Sequence, residues 1–138
     1  MSQKSPPMVE LIYYSHSISV LNAEDVALIL EGAREKNSGM DITGLLIYKG
    51  GCFLQVIEGP RDKINQLFQS ISHDARHFDI TLVCYRETDR RNFEAWRMGY
   101  LDEQALAAQD LQVGNLDALT ASEARNILLD AASLEEVT

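Results

Sequence analysis

Ile42-Thr43-Gly44-Leu45-Leu46-Ile47-Tyr48-Lys49-Gly50-Gly51-Cys52-Phe53-Leu54-Gln55-Val56-Ile57-Glu58 reads as a β-hairpin, and what flanks it decides the fold. Its arms, Ile42 to Lys49 and Cys52 to Glu58, are apolar and rich in β-formers, and Gly50-Gly51 suits a two-residue turn that requires positive φ. Upstream, Asn22 can cap a helix through its side-chain oxygen, with Glu24 and Asp25 in the positively polarised first turn. Val26, Ile29, Leu30 and Ala33 recur at the spacing of one helical face, which predicts a helix to about Lys36 and a stop at Asn37-Ser38-Gly39. Downstream, Gly59-Pro60 opens a second helix with Pro60 at the first helical position, and Ile64, Leu67, Phe68 and Ile71 form its buried stripe. Further strands are expected at Val9 to Ser15, Ile80 to Glu87 and Phe93 to Leu101. The order is β-α-β-β-α-β with one strand added: an α+β, ferredoxin-like sheet whose two helices cover one face.

Within that frame Gln55 is anomalous. Strand side chains alternate, so Gln55 shares its face with Phe53 and Ile57, where packing alone would choose an apolar residue. An amide left unpaired inside a core costs roughly 1 to 3 kcal/mol, so something polar must meet it. Tyr13 is a second case, a phenol on the Leu11 and Ser15 face of the first strand. Each alone has an ordinary explanation, because buried phenols bond to backbone carbonyls and buried amides to backbone or water. The ferredoxin-like topology places the first and third strands side by side at the centre of the sheet. If both side chains face the helices, they meet under the groove between them, in a pocket suited to a planar ligand.

Composition narrows the remaining choices. At 138 residues with 46% apolar content, the chain has the size of one globular domain with a full core. Met1 to Glu10 has no secretory h-region, and no apolar run approaches the roughly 20 residues of a membrane span, which predicts a cytoplasmic protein. Cys52 and Cys84 stand far apart, and His16, His73 and His77 lack the spacing of a metal site. The net charge of −9 is the wrong sign for tracking phosphates, which argues against direct nucleic-acid binding. Residues 102–138 hold one base, Arg125, against eight acids. That acidity reads as a solvated helix face or as a dock for a basic partner.

The chain also resembles the BLUF family, small flavin-binding blue-light sensors of this fold. The resemblance is carried by Leu11-Ile12-Tyr13-Tyr14-Ser15, Asn37 with Asp41-Ile42-Thr43-Gly44-Leu45-Leu46, Phe53 to Gly59, Asp74-Ala75-Arg76-His77, and Arg91-Asn92-Phe93 with Trp96-Arg97-Met98. It implies a non-covalently bound FAD. Tyr13 then matches the electron and proton donor to the excited flavin, and Gln55 the amide that bridges this tyrosine to the ring. Asn37 matches a residue bonded to the ring's polar edge. Lys36, Asp74, Arg76 and His77 fall where the family lines the flavin edge or its side chain, Arg76 near a cofactor phosphate. Trp96 and Met98, read here as one strand face, match the pair linked to signalling. The resemblance further implies that light moves an electron and a proton from the tyrosine, that the glutamine rotates or tautomerises, and that the flavin ends chemically unchanged with a new hydrogen bond.

The expected domain plan is a flexible 1–8, a sensor over 9–101 and a helical extension over 102–138. In the extension, one helix is expected at about Asp102 to Ala108. Another follows Thr120, which forms a capping box with Glu123 and presents Ala124, Ile127, Leu128 and Ala131. These helices would cover the open sheet face of a stand-alone sensor. Its output would then be a change in a separate protein partner or in self-association, with no enzymatic step and no membrane. Rival readings are a flavin-free regulatory or oligomerisation module and a small flavin-dependent enzyme or acylphosphatase-like hydrolase. The latter lack a Gly-x-Gly-x-x-Gly loop or a phosphate cradle here.

Overall fold

The computed structural model describes residues 7–19, 21–108, 113–134 and 137. The chain order is β1 (Met8–Ser17), α1 (Ala23–Met40), β2 (Thr43–Lys49), β3 (Cys52–Pro60), α2 (Arg61–Ser72), β4 (His77–Thr88), β5 (Gly99–Asp102), α3 (Glu103–Ala108), a 3-10 turn (Leu116–Ala118) and α4 (Ala121–Ala132). The strands form one sheet in the order β4-β1-β3-β2-β5, antiparallel except for β5, which runs parallel to β2. This is the expected ferredoxin-like α+β arrangement with β1 and β3 at its centre. Gly50 and Gly51 turn the hairpin at φ 59° and 75°. Residues 1–6, most of the segment expected to be flexible, lie outside the described residues, and Met8 already pairs with Pro60 in the sheet. No helix among the described residues is long and apolar enough to cross a membrane.

Each sheet face has its own core. On one, Leu11, Tyr13, Leu46, Phe53 and Ile57 pack beneath Val26 and Leu30 of α1 and Ile64 and Leu67 of α2. On the other, Ile12, Leu45, Ile47, Leu54 and Val56 pack beneath Leu106, Leu116, Ala124, Leu128 and Ala131. The C-terminal helices therefore cap the second face, at roughly 1.5 to 3 kcal/mol for each large apolar side chain they bury. Thr120 and Glu123 form the expected capping box, and Asp102 caps α3 through its carboxylate and the Ala105 amide (2.8 Å). Polar ties reinforce the cap. Glu10, 1% exposed on β1, accepts from Arg86 of β4 (3.2 Å) and Arg125 of α4 (3.1 Å) at the same oxygen. His16 at the far end of β1 pairs with Asp117 (3.1 Å), and Lys49 donates to the carbonyls of Val113 and Gly114.

The structure corrects three boundaries. Helix α1 does not stop at Lys36 but runs to Met40, because Asp41, not Gly39, takes the left-handed cap (φ 58°, ψ 40°) and returns its N–H to the Asn37 carbonyl. Pro60 stands one position earlier than expected, as the extended residue before α2. The strand expected over Phe93 to Leu101 shrinks to Gly99–Asp102. Its first half is diverted because the buried Glu58 carboxylate holds the amides of Asn92 (2.8 Å) and Phe93 (3.1 Å), and the Trp96 N–H turns back to the Phe93 carbonyl (3.2 Å). Alternation is therefore lost before Gly99. Trp96 and Met98 do not share a strand face: Trp96 packs on the capped side of the sheet and Met98 on the helical side.

Candidate functional site

Tyr13 and Gln55 are direct cross-strand partners in the β1–β3 register, 3% and 6% exposed, on the helical face. The Tyr13 hydroxyl donates to Gln55 Oε1. With its carbonyl committed to the phenol, the amide points Nε2 at the Met98 thioether, 3.2 Å away. Sulfur is a weak acceptor, so the amide keeps donor capacity for a stronger partner. Burial, helped by the nearby Asp74 charge, pushes the Tyr13 phenol well above its usual range. The hydroxyl therefore retains its proton at neutral pH.

Above this pair, between α1 and α2, opens a cavity of about 170 Å³. Its walls include all seven side chains expected at a cofactor site: Tyr13, Lys36, Asn37, Gln55, Asp74, Arg76 and His77. Apolar Ile29, Leu46, Phe53, Leu67 and Ile71 complete the lining. Asn37 lies on the inner side of the last turns of α1, which is why the extension of that helix matters. Its Nδ2 donates to the Arg97 carbonyl (2.6 Å), and its buried Oδ1 has no hydrogen-bond partner. An orphaned buried acceptor on a cavity wall fits a ligand that brings an N–H donor. Lys36 and Arg76 are exposed, at the outer part of the same cavity.

Asp74 organises the far end. Its carboxylate accepts from the Arg76 backbone amide (2.9 Å) and from Arg76 Nε at 2.9 and 3.1 Å, which pulls its pKa down to about 2. His77 is fixed at both ring nitrogens. Nε2 lies 2.7 Å from the Ile71 carbonyl and must donate to it, so Nδ1, 2.7 Å from the buried Ser15 hydroxyl, accepts when the ring is neutral. The ring stands edge-on to both Tyr13 and Phe53, each at 6.5 Å between centroids. Trp96 is not among the lining residues, whereas Met98 reaches the site through Gln55.

Several residues around the site were not singled out from the sequence. Ser15 orients His77, Glu58 and Arg91 hold the loop before Met98, and Arg34 Nε bonds to the Met98 carbonyl at 3.0 Å. Glu58 and Glu10 carried a legible signal, an ionisable group on the Leu54-Val56 or Ile12 face of a buried strand, of the same kind that marked Gln55. Arg34 carried none, since a cation on a helix is ordinarily solvated.

The family model described as "Sensors of blue-light using FAD", BLUF, matches residues 8–99. The photoactivated adenylate cyclase subunit beta of Euglena longa is 32% identical over 101 residues, 72% of this chain. The blue light- and temperature-regulated antirepressor BluF of Escherichia coli (strain K12) is 31% identical over 85 residues, 61% of this chain. These matches span only 12% of the cyclase subunit and 21% of the antirepressor. Among solved structures, BlrB, described as a BLUF protein in its dark state, superposes with a TM-score of 0.79 at 30% identity, covering 93% of this chain and 99% of that one. The photo-activated state of BlsA gives a TM-score of 0.80 at 27% identity, covering 95% and 99%.

Proposed function

Because the chain belongs to the BLUF family of blue-light flavin sensors, we propose that it is a photoreceptor that holds FAD non-covalently between α1 and α2 and reports light through Gln55. The observation that carries the reading is the buried Tyr13–Gln55 hydrogen bond on the wall of a cavity whose other polar groups suit a flavin. The orphaned Oδ1 of Asn37 would take an N–H of the ring edge, and Lys36 and Arg76 would meet the phosphates, with Asp74 holding Arg76 in place. When bound, the flavin supplies absorption of blue light and an excited state that accepts an electron.

The rest belongs to the chain. Tyr13 is the donor, and its high pKa keeps the proton on the phenol until the electron leaves. Gln55 is the relay, since its Oε1 already accepts that proton's hydrogen bond and its Nε2 offers donors on the other side. Turning the amide exchanges which end faces Tyr13 and which faces Met98, whereas tautomerising it leaves both ends in place and makes the oxygen a donor. Met98 is followed at once by β5 and α3, a short covalent route from the amide to the helical cap. We assign 9–101 to sensing and 102–138 to output, toward a separate partner or a change of self-association, with no enzymatic step in this chain.

Purified protein should be yellow, release its FAD on denaturation, and show a small reversible red shift on illumination. Gln55→Leu should keep the flavin and lose the shift, because bulk is preserved while the switching amide is removed. Protein that stays colourless after mixing with FAD, or a normal red shift in Gln55→Leu, overturns the reading.

A further inference from the structure

Between Phe93 and Gly99 the chain lacks a strand ladder, yet three successive carbonyls are each held by a specific donor. The Gly44 N–H of β2 bonds to the Trp96 carbonyl (3.2 Å), Asn37 Nδ2 to that of Arg97 (2.6 Å) and Arg34 Nε to that of Met98 (3.0 Å). Arg34 and Asn37 lie three residues apart, on one face of α1. The side chain they place is the thioether 3.2 Å from Gln55 Nε2, whose methyl sits over Gly44, 3.2 Å from where a Cβ would stand. A methionine side chain has three rotatable bonds and fills whatever gap its backbone offers. Its position beside the amide therefore depends on what fixes the Met98 backbone.

We propose that Arg34 is a positioning residue of the switch: by donating to the Met98 carbonyl it holds the thioether against the Gln55 amide and so sets how readily that amide turns. Arginine suits the task, because its guanidinium donors are rigidly disposed. Arg34 does not line the cavity, whereas Asn37 does and takes the neighbouring carbonyl. Holding Met98 and holding the cofactor are thus separable. The inference rests on the photoreceptor reading for its consequence, but its geometric half stands without light.

The test uses the full chain labelled at the methionine methyl groups, of which there are four. The Met98 signal is identified by its disappearance in Met98→Leu. Arg34→Leu should move and broaden that signal, with or without FAD, leave the Met8 signal in place and leave flavin content unchanged. Arg34→Lys should return it toward the parent position. In the illuminated protein, Arg34→Leu should speed dark recovery by roughly tenfold, the scale on which one hydrogen bond acts. That acceleration should vanish in the Met98→Leu background, as coupled sites require. An unmoved Met98 signal in Arg34→Leu, unchanged or slower recovery, or an equal acceleration in the Met98→Leu background would each overturn the proposal. If Arg34→Leu fails to fold, Arg34→Gln and Arg34→Lys are compared in the same measurements. A parent protein with no red shift would sink the photoreceptor reading alone, and the methyl signals would still decide whether Arg34 places Met98.

Discussion

The Tyr13 hydroxyl and the Gln55 amide satisfy one another in a region where either alone would be costly. Tyr13→Phe removes one oxygen and leaves Gln55 Oε1 without its donor, so we expect a loss of about 1 to 3 kcal/mol in chemical denaturation of the flavin-free protein. The same variant should bind FAD and give no red shift. If it cycles like the parent, the electron comes from elsewhere, with Trp96 the first group to examine. Asp74 sets a pH dependence. Its carboxyl ordinarily titrates near 3.8 and in the fold at about 2, so the Arg76 pairing contributes fully above the ordinary value and is lost as pH falls toward 2. Because the pair is partly solvated, the contribution is about 1 kcal/mol after screening. Stability of Asp74→Asn, measured by urea denaturation, should be lower than the parent's at pH 6 and converge with it near pH 2. A constant difference across that range would show that the residue acts through shape instead of charge.

At the scale of elements, β1 links the site to the cap. Its helical face carries Tyr13, and its opposite face carries Glu10 and His16, tied to α4 through Arg125 and to the 3-10 turn through Asp117. Burying a carboxylate is tolerable only with its partners in place, and Glu10 keeps a second oxygen that is unbonded. Arg125→Met keeps a long side chain but withdraws one of the two cations that Glu10 accepts from, and we expect it to cost about 1 to 3 kcal/mol. Adding Glu10→Gln should recover part of that loss, since the buried charge is then gone, and a double-mutant cycle would measure the coupling. Strictly additive losses would mean that Arg125 serves only by packing.

Over the whole molecule, we propose that the signal runs from Gln55 to Met98 and along β5 into α3 and the cap that α4 completes. Proximity alone does not establish coupling. Hydrogen exchange in the dark and under illumination should change at residues 99–108 and in α4, at the scale of 1 to 3 kcal/mol usual for coupled sites. Unchanged protection there, in protein whose flavin does shift, would place the exit at the C-terminal end of α1, around Asn37 to Asp41. Much of this plan was legible in the chain by itself. Periodicity placed the hairpin and both sheet-covering helices, and polar residues on apolar faces marked Tyr13 and Gln55, because burial period and the cost of an unpaired polar group are local properties. The resemblance supplied Asn37, Lys36, Asp74, Arg76 and His77 as neighbours. What only the tertiary structure decided lies where distant groups compete with local preference. Arg91, donating to the Asp41 carbonyl (2.7 Å) from 50 residues away, meets the helix cap that Asp41 took in place of Gly39, the buried Glu58 carboxylate diverted Asn92 and Phe93 from an otherwise plausible strand, and the faces of Trp96 and Met98 separated as a result. Arg34 found the Met98 carbonyl 64 residues away. Such contacts join atoms remote in sequence, and no pattern of neighbouring residues encodes them; they exist because the packed sheet brings the chain ends of its elements together.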